Sequence, residues 1–207
     1  MYVLVCEEEM IRILAIGAHY DDIEMGCGGT LLKHIQNGDE VFFGITSSDE
    51  YRTGDKNHRY QEQILSAGIM GVDFESIYTY SYNDEVHDII GRLDIVKPDV
   101  VFTHHEFDTH QDHRRASIIG QAVGRKRTMT TLFYDSGSSY DFNPNTFAMI
   151  DFDKKYQLMS CYKSQIELGA INLDIIKKKN EYWATLITEE QNSYAEGFMA
   201  RKMLWLE

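Results

Sequence analysis

The sequence predicts an α/β protein: a largely parallel sheet with helices on both faces. Two observations predict it. Short apolar runs alternate with longer segments of helical spacing through the first two thirds of the chain, the signature of βαβ units. The apolar runs are also continuous, as strands buried on both faces require. Crossovers between such strands are right-handed, so the arrangement is Rossmann-like, and ligands in such sheets bind beyond the carboxyl ends of the strands.

Each element has a local reason. Residues 11–17 (IRILAIG) read as a buried strand, and 25–37 as a helix stopped by Gly38-Asp39. Residues 41–46 are a second apolar strand, 57–70 a helix ending near Gly71, and 76–80 a short strand. Asn83 or Asp84 caps a helix that reaches Val96 and stops before Lys97-Pro98, because the residue before proline avoids helical geometry. Residues 100–103 form the next strand, 111–123 a helix and 130–134 a strand. Residues 135–145, rich in Ser, Gly, Asp and Asn, read as a long loop. The remainder is less regular: a strand at 146–150, a helix capped by Asp151 or Asp153, a helix over 173–186 and a strand in 193–204.

The 207 residues suit a single domain over 1–207, with 1–10 as a short extension. Residues 1–6 are too short an apolar run for a secretory signal, and Glu7-Glu8-Glu9 follow at once. A net charge of −13 argues against nucleic acid and anionic membranes as partners. No run is long enough for a transmembrane segment. Three cysteines without a Cys-x-x-Cys pair fit a reducing cytoplasm and structural thiols. Aromatic residues in the second half leave room for a homo-oligomer, though no periodic pattern sets its number.

Two polar clusters follow apolar runs. The first is His19-Tyr20-Asp21-Asp22; the second runs from His104 to His113 (HHEFDTHQDH). If the strands at 11–17 and 100–103 are neighbours, the clusters meet where strand order reverses. His19, Asp22 and His113 then offer two imidazoles and a carboxylate, a donor set that suits one zinc ion per subunit and leaves a position for water. Asp21 stands beside them as general base. His110, as an imidazolium, is placed to stabilise an oxyanion and protonate a leaving nitrogen. Asp112 or Asp108 can orient one of these rings. His104 and His105 read as strand-end residues. The Gly26-Cys27-Gly28-Gly29-Thr30 stretch lacks the lysine of a phosphate loop, and its glycines read as allowing close backbone approach to the site.

With these residues in view, the chain resembles the LmbE/PIG-L-like zinc-dependent N-deacetylases, which remove acetyl groups from N-acetylglucosamine-type sugars and conjugates. The resemblance rests on Ala18-His19-Tyr20-Asp21-Asp22, Glu24–Thr30, Pro98–Thr103 and Asp108-Thr109-His110-Gln111-Asp112-His113-Arg114, with weaker echoes at Arg59-x-x-Glu62, Lys155, Ser164-Gln165 and Tyr194–Phe198. It implies the roles just given: His19, Asp22 and His113 as zinc ligands, Asp21 as base, His110 as electrostatic or acid partner. Tyr20 stands where the family usually has proline, and it reads as a pocket-lining residue. Arg52 reads as a ligand for a sugar hydroxyl or phosphate, and Tyr140 with Phe142 and Asn143 as a sugar-contacting lid. Arg59 and Glu62 can pair across a helix turn. The expected substrate is a small N-acetylated sugar or sugar conjugate. An amidase or deformylase for another N-acyl compound, or a non-catalytic sugar-binding module, stays open.

Overall fold

A computed structural model describes residues 10–48, 56–123, 125 and 130–203. Residues 1–9, most of the expected extension, and Tyr51 and Arg52 lie outside them. In chain order the elements are β1 (Arg12–Gly17), α1 (Asp22–Gln36), β2 (Glu40–Ile45), α2 (Lys56–Met70), β3 (Ile77–Thr79), α3 (Val86–Leu93), β4 (Val100–His104), α4 (Gln111–Ala122), β5 (Thr130–Tyr134), β6 (Thr146–Ile150), α5 (Phe152–Met159), α6 (Lys163–Glu167), α7 (Leu173–Thr185) and β7 (Tyr194–Met203).

The strands form a seven-stranded sheet in the order β3-β2-β1-β4-β5-β7-β6. The five strands from β3 to β5 in that order run parallel, and β7 lies antiparallel to both β5 and β6. The sheet is therefore largely parallel, as expected. β1 and β4 are neighbours, with Leu14 opposite Val101. Strand order reverses between them.

Alternation along the strands sends side chains to two cores. Ile13 and Ala15 join Ile23, Cys27 and Leu31 of α1, Ala67 and Met70 of α2, and Leu158 of α5. Leu14 and Ile16 join Ile89 and Leu93 of α3 and Ala116 and Ile119 of α4. Both faces of β1 are thus sealed, which explains its unbroken apolar run.

Local departures from expectation have identifiable causes. α1 starts at Asp22, three residues early, because the Asp22 side chain itself closes the preceding turn. α3 starts after Glu85, because Asp84 is engaged in accepting the Ser81 N–H at 2.9 Å, and a short 3-10 turn carries the chain on to Val96. α6 was not foreseen, since five residues are too few for periodicity to show. The glycine stretch lies within α1 and serves packing, not approach to the site. A Cβ on Gly26 would collide with the Tyr134 ring, and one on Gly29 would come within 2.8 Å of Ile150. Among the described residues Cys27 and Cys161 are free and buried, and burial pushes both thiols up, as suits structural residues.

Candidate active site

The β1–α1 and β4–α4 connections leave the sheet side by side at the reversal of strand order, and this brings the two polar clusters together. Asp22 is the centre. Its Oδ2 accepts from the Ala18 N–H at 3.1 Å and the His19 N–H at 2.7 Å, and lies 3.1 Å from His104 Nε2. Its Oδ1 lies 3.4 Å from His113 Nε2. Burial alone would raise the Asp22 pKa; His113 and His104 beside it hold it well below the usual carboxylate range.

The rings on either side of Asp22 share one arrangement. His19 turns Nδ1 toward Asp22, at 3.4 Å, and Nε2 toward Asp112, at 3.0 Å. His113 turns Nε2 toward Asp22 and Nδ1 toward Asp108, at 3.1 Å. Each histidine thus presents one nitrogen to a common point and the other to a carboxylate, the pattern that orients metal-binding imidazoles. Donor atoms of His19, Asp22 and His113 all lie within 4.8 Å of one another. At His113 burial lowers the pKa, but Asp22 and Asp108 outweigh it, so the surroundings favour positive charge there. With Oδ2 of Asp22 already engaged, Oδ1 remains to meet a cation. The residues fit a divalent metal of zinc type.

Asp108 is the brace of the second cluster. Fully buried, it accepts from the His110 N–H at 2.7 Å and the Ser138 hydroxyl at 2.7 Å besides contacting His113. Burial opposes its charge, yet His113 and these donors hold its pKa far below normal. Asp112 Oδ2 lies 3.0 Å from His19 Nε2.

Asp21 caps α1 with φ 109°, a conformation costly for a non-glycine residue. Burial first, and then the Asp22 charge, push its pKa up to about 8, against the opposing pull of Arg59 and His19. Arg59 reaches from α2 to the Tyr20 carbonyl at 3.1 Å and to Asp21 Oδ2 at 3.5 Å. Arg59 and Glu62 therefore serve different partners: Glu62 accepts from the Ser164 N–H at 2.8 Å and hydroxyl at 2.6 Å. His110 caps α4, with Nδ1 accepting the Asp112 N–H at 3.2 Å, which assigns the proton of its neutral ring to Nε2. Burial and neighbouring His113 lower its pKa, which opposes the imidazolium expected from the sequence.

These groups line a cavity of about 460 Å3. His19, Asp21, Asp22, His110 and His113 line it from the two clusters; Gln165, Asn172, Ile176 and Lys179 line it from α6, α7 and the turn between them. Ser136, Gly137 and Ser138 join the two. Two expected substrate residues are not among those lining it. The Tyr20 ring is buried against Tyr60 at 5.9 Å, because its backbone carbonyl, not its side chain, faces Arg59. Tyr140 is 55% exposed and lies against Phe107. Sequence reasoning underrated His104. It stacks on His113 at 4.1 Å, its Nε2 lies 3.1 Å from Asp22 Oδ2 and accepts the Ala18 N–H at 3.2 Å, and burial takes its pKa down to about 4. The signal was its place at the last residue of a buried strand facing the first cluster. Of the α6–α7 lining, only Gln165 lies in a stretch that echoes the family.

The GlcNAc-PI de-N-acetylase family model, PIG-L, matches residues 14–123, more than half of the chain, and contains both clusters. The chain belongs to the PIG-L family. An Escherichia coli K12 protein described as an uncharacterized deacetylase, YaiS, is 30% identical over 152 residues, covering 67% of this chain and 81% of that protein. The diacetylchitobiose deacetylase of Thermococcus kodakarensis is 27% identical over 129 residues, 53% of this chain and 47% of its own length. In structure, a conserved protein of Thermus thermophilus superposes with a TM-score of 0.82 at 23% identity, covering 96% of this chain and 98% of the other, so the two share one fold over nearly the whole molecule. No helix among the described residues is long and apolar enough to cross a membrane.

Proposed function

We propose that this chain is a zinc-dependent hydrolase that removes the acetyl group from the amide nitrogen of an N-acetylglucosamine-type sugar or conjugate. One observation carries the reading: Asp22 stands between two histidines that are each braced by a carboxylate, and Asp21 and His110 line the same cavity. Membership of a deacetylase family supports it, as does the similarity to a diacetylchitobiose deacetylase.

His19, Asp22 and His113 would hold the metal. Zinc bound there would supply Lewis acidity toward an acyl carbonyl and acidify a water. Asp21 accepts the proton of the attacking water and retains it beside the scissile bond; without a metal, burial and the Asp22 charge raise its proton affinity. A cation at Asp22 would draw that affinity back toward the normal carboxylate value. Arg59 fixes the Asp21 carboxylate and the Tyr20 backbone, so the base does not swing away. His110 donates from Nε2 to the oxygen that becomes anionic in the tetrahedral state. Between them, Asp21 and His110 return a proton to the nitrogen as the carbon–nitrogen bond breaks, giving acetate and a free amine.

The test is amine release from a panel of N-acetylated sugars by zinc-loaded protein, with metal content measured in parallel. Release by the wild type and its loss in Asp21→Asn is the expected result. One zinc per chain with no release from any sugar would move the reading to another acyl amide or to a binding module.

A further inference from the structure

The cavity rim continues into a chain of aromatic rings that the proposed chemistry does not use. Residues 107–109 and 138–140 pair as a short antiparallel ladder: the Tyr140 N–H donates to the Phe107 carbonyl at 3.0 Å, the Thr109 N–H to the Ser138 carbonyl at 3.2 Å, and Asp108 bridges Ser139. The inner end of the ladder is the site itself, since Ser138 and His110 line the cavity. Its outer end displays Phe107 and Tyr140, 46% and 55% exposed, with ring centroids 5.9 Å apart and planes 37° from parallel. Tyr140 follows Ser138 by two residues on the same segment.

The rings are fixed, not merely exposed. Phe107 abuts His105 at 5.6 Å, His105 abuts Phe142 at 5.3 Å, and Phe142 abuts Trp183 at 6.3 Å. Trp183 lies on α7 one turn beyond the cavity residue Lys179. Exposed Thr109, Asp141 and Asn143 flank the two outer rings with hydroxyl, carboxylate and amide groups. Flat apolar rings bordered by hydrogen-bonding groups match a pyranose, whose faces are C–H rich and whose edge carries hydroxyls.

We propose that Phe107 and Tyr140 form an outer subsite that stacks a second sugar residue while the N-acetylated residue occupies the cavity. The substrate is then a glycan or glycoconjugate of two or more sugars. This rests on the deacetylase reading for the position of the first sugar.

The experiment compares kcat/KM for N-acetylglucosamine, N,N′-diacetylchitobiose and the trisaccharide, using wild type, Phe107→Ala and Tyr140→Ala, with sedimentation of each protein. The wild type is expected to prefer the longer sugars, and each variant to lose threefold to about tenfold of that preference, the range one aromatic ring supplies. Hydrolysis with equal length preference in all three proteins would overturn the subsite and leave the deacetylase standing. A change in sedimentation with unchanged preference would overturn it in favour of a face between copies. If no sugar is hydrolysed, trisaccharide binding is read by saturation-transfer NMR. A signal from the trisaccharide with the wild type that disappears with Phe107→Ala supports the subsite alone, and no signal with the wild type overturns it.

Discussion

Residues 14–123 and residues 130–203 contribute to one cavity in different ways. In the first region the chemical groups are placed by turns of short sequence range: Asp22 takes the Ala18 and His19 N–H groups, and Asp108 takes the His110 N–H and the His113 ring. In the second, the elements around the cavity are tied to the first region, and to one another, across long separations. Lys155 on α5 meets Glu196 on β7, 41 residues away, and Glu196 accepts from Gly29 and Thr30 of α1, 167 and 166 residues away. Ser164 meets Glu62 across 102 residues. The family match covers the first region alone. The groups of the two clusters sit in turns of short range that a compact motif can carry, whereas the second region is tied to the first by contacts between residues far apart in sequence, marked only by scattered echoes of the family.

Substitutions in the two regions should therefore fail differently. The largest effect is expected from Asp21→Asn. Asparagine tolerates positive φ, so the turn survives, while loss of the base lowers kcat by roughly 10²–10⁴-fold. Retained turnover in a steady-state assay would remove Asp21 from the chemistry. In the second region Lys155→Met leaves the Glu196 carboxylate buried without its cation, at a cost of about 3–5 kcal/mol in urea unfolding. Adding Glu196→Gln is expected to restore part of it. A loss of about 1 kcal/mol or less, the size of an exposed pair, would mean that the second region is not tied there.

Asp112→Asn tests the brace on His19. It should weaken zinc binding by about 10–100-fold in a chelator competition, with the fold intact. Unchanged affinity would show that His19 is oriented by the turn alone.

The smallest effect concerns Asp135, whose carboxylate lies 2.8 Å from Lys179 of the cavity wall. Burial raises its pKa, but Lys179 and nearby donors hold it below normal. A folded value below the unfolded one adds stability above about pH 3.9, which is lost as pH falls through the folded value. The stability gap between wild type and Asp135→Asn should thus be widest near neutrality and close toward acid pH. Burial pulls Lys179 down despite its partner, so the gap should also narrow on the alkaline side. A gap constant from about pH 3 to about pH 7 would contradict this pairing.

Much of the fold was legible from residues. The strands from β1 to β5 lie close to where the sequence puts them, and in β1 and β4 the unbroken apolar run reflects cover on both faces. The meeting of the two polar clusters was legible too, since a histidine and a carboxylate close to a strand end need only a turn to converge. Tyr20 was misread because ring direction depends on the turn, and here the Asp22 bonds and the strained Asp21 backbone send it into the core. Gly26 and Gly29 were misread because their neighbours, Tyr134 and Ile150, come from distant strands.

By itself, the sequence determined which segments form strands and helices and which side chains can bind a metal or move a proton, because apolar periodicity, turn residues and ligand spacing act over a few neighbours. Only the tertiary structure decided that β1 and β4 adjoin, that Asp108 and Asp112 divide between two histidines, and that α6 and α7 face the site. Those outcomes depend on sheet order and on buried polar pairs tens to hundreds of residues apart, whose partners nothing in a local pattern specifies.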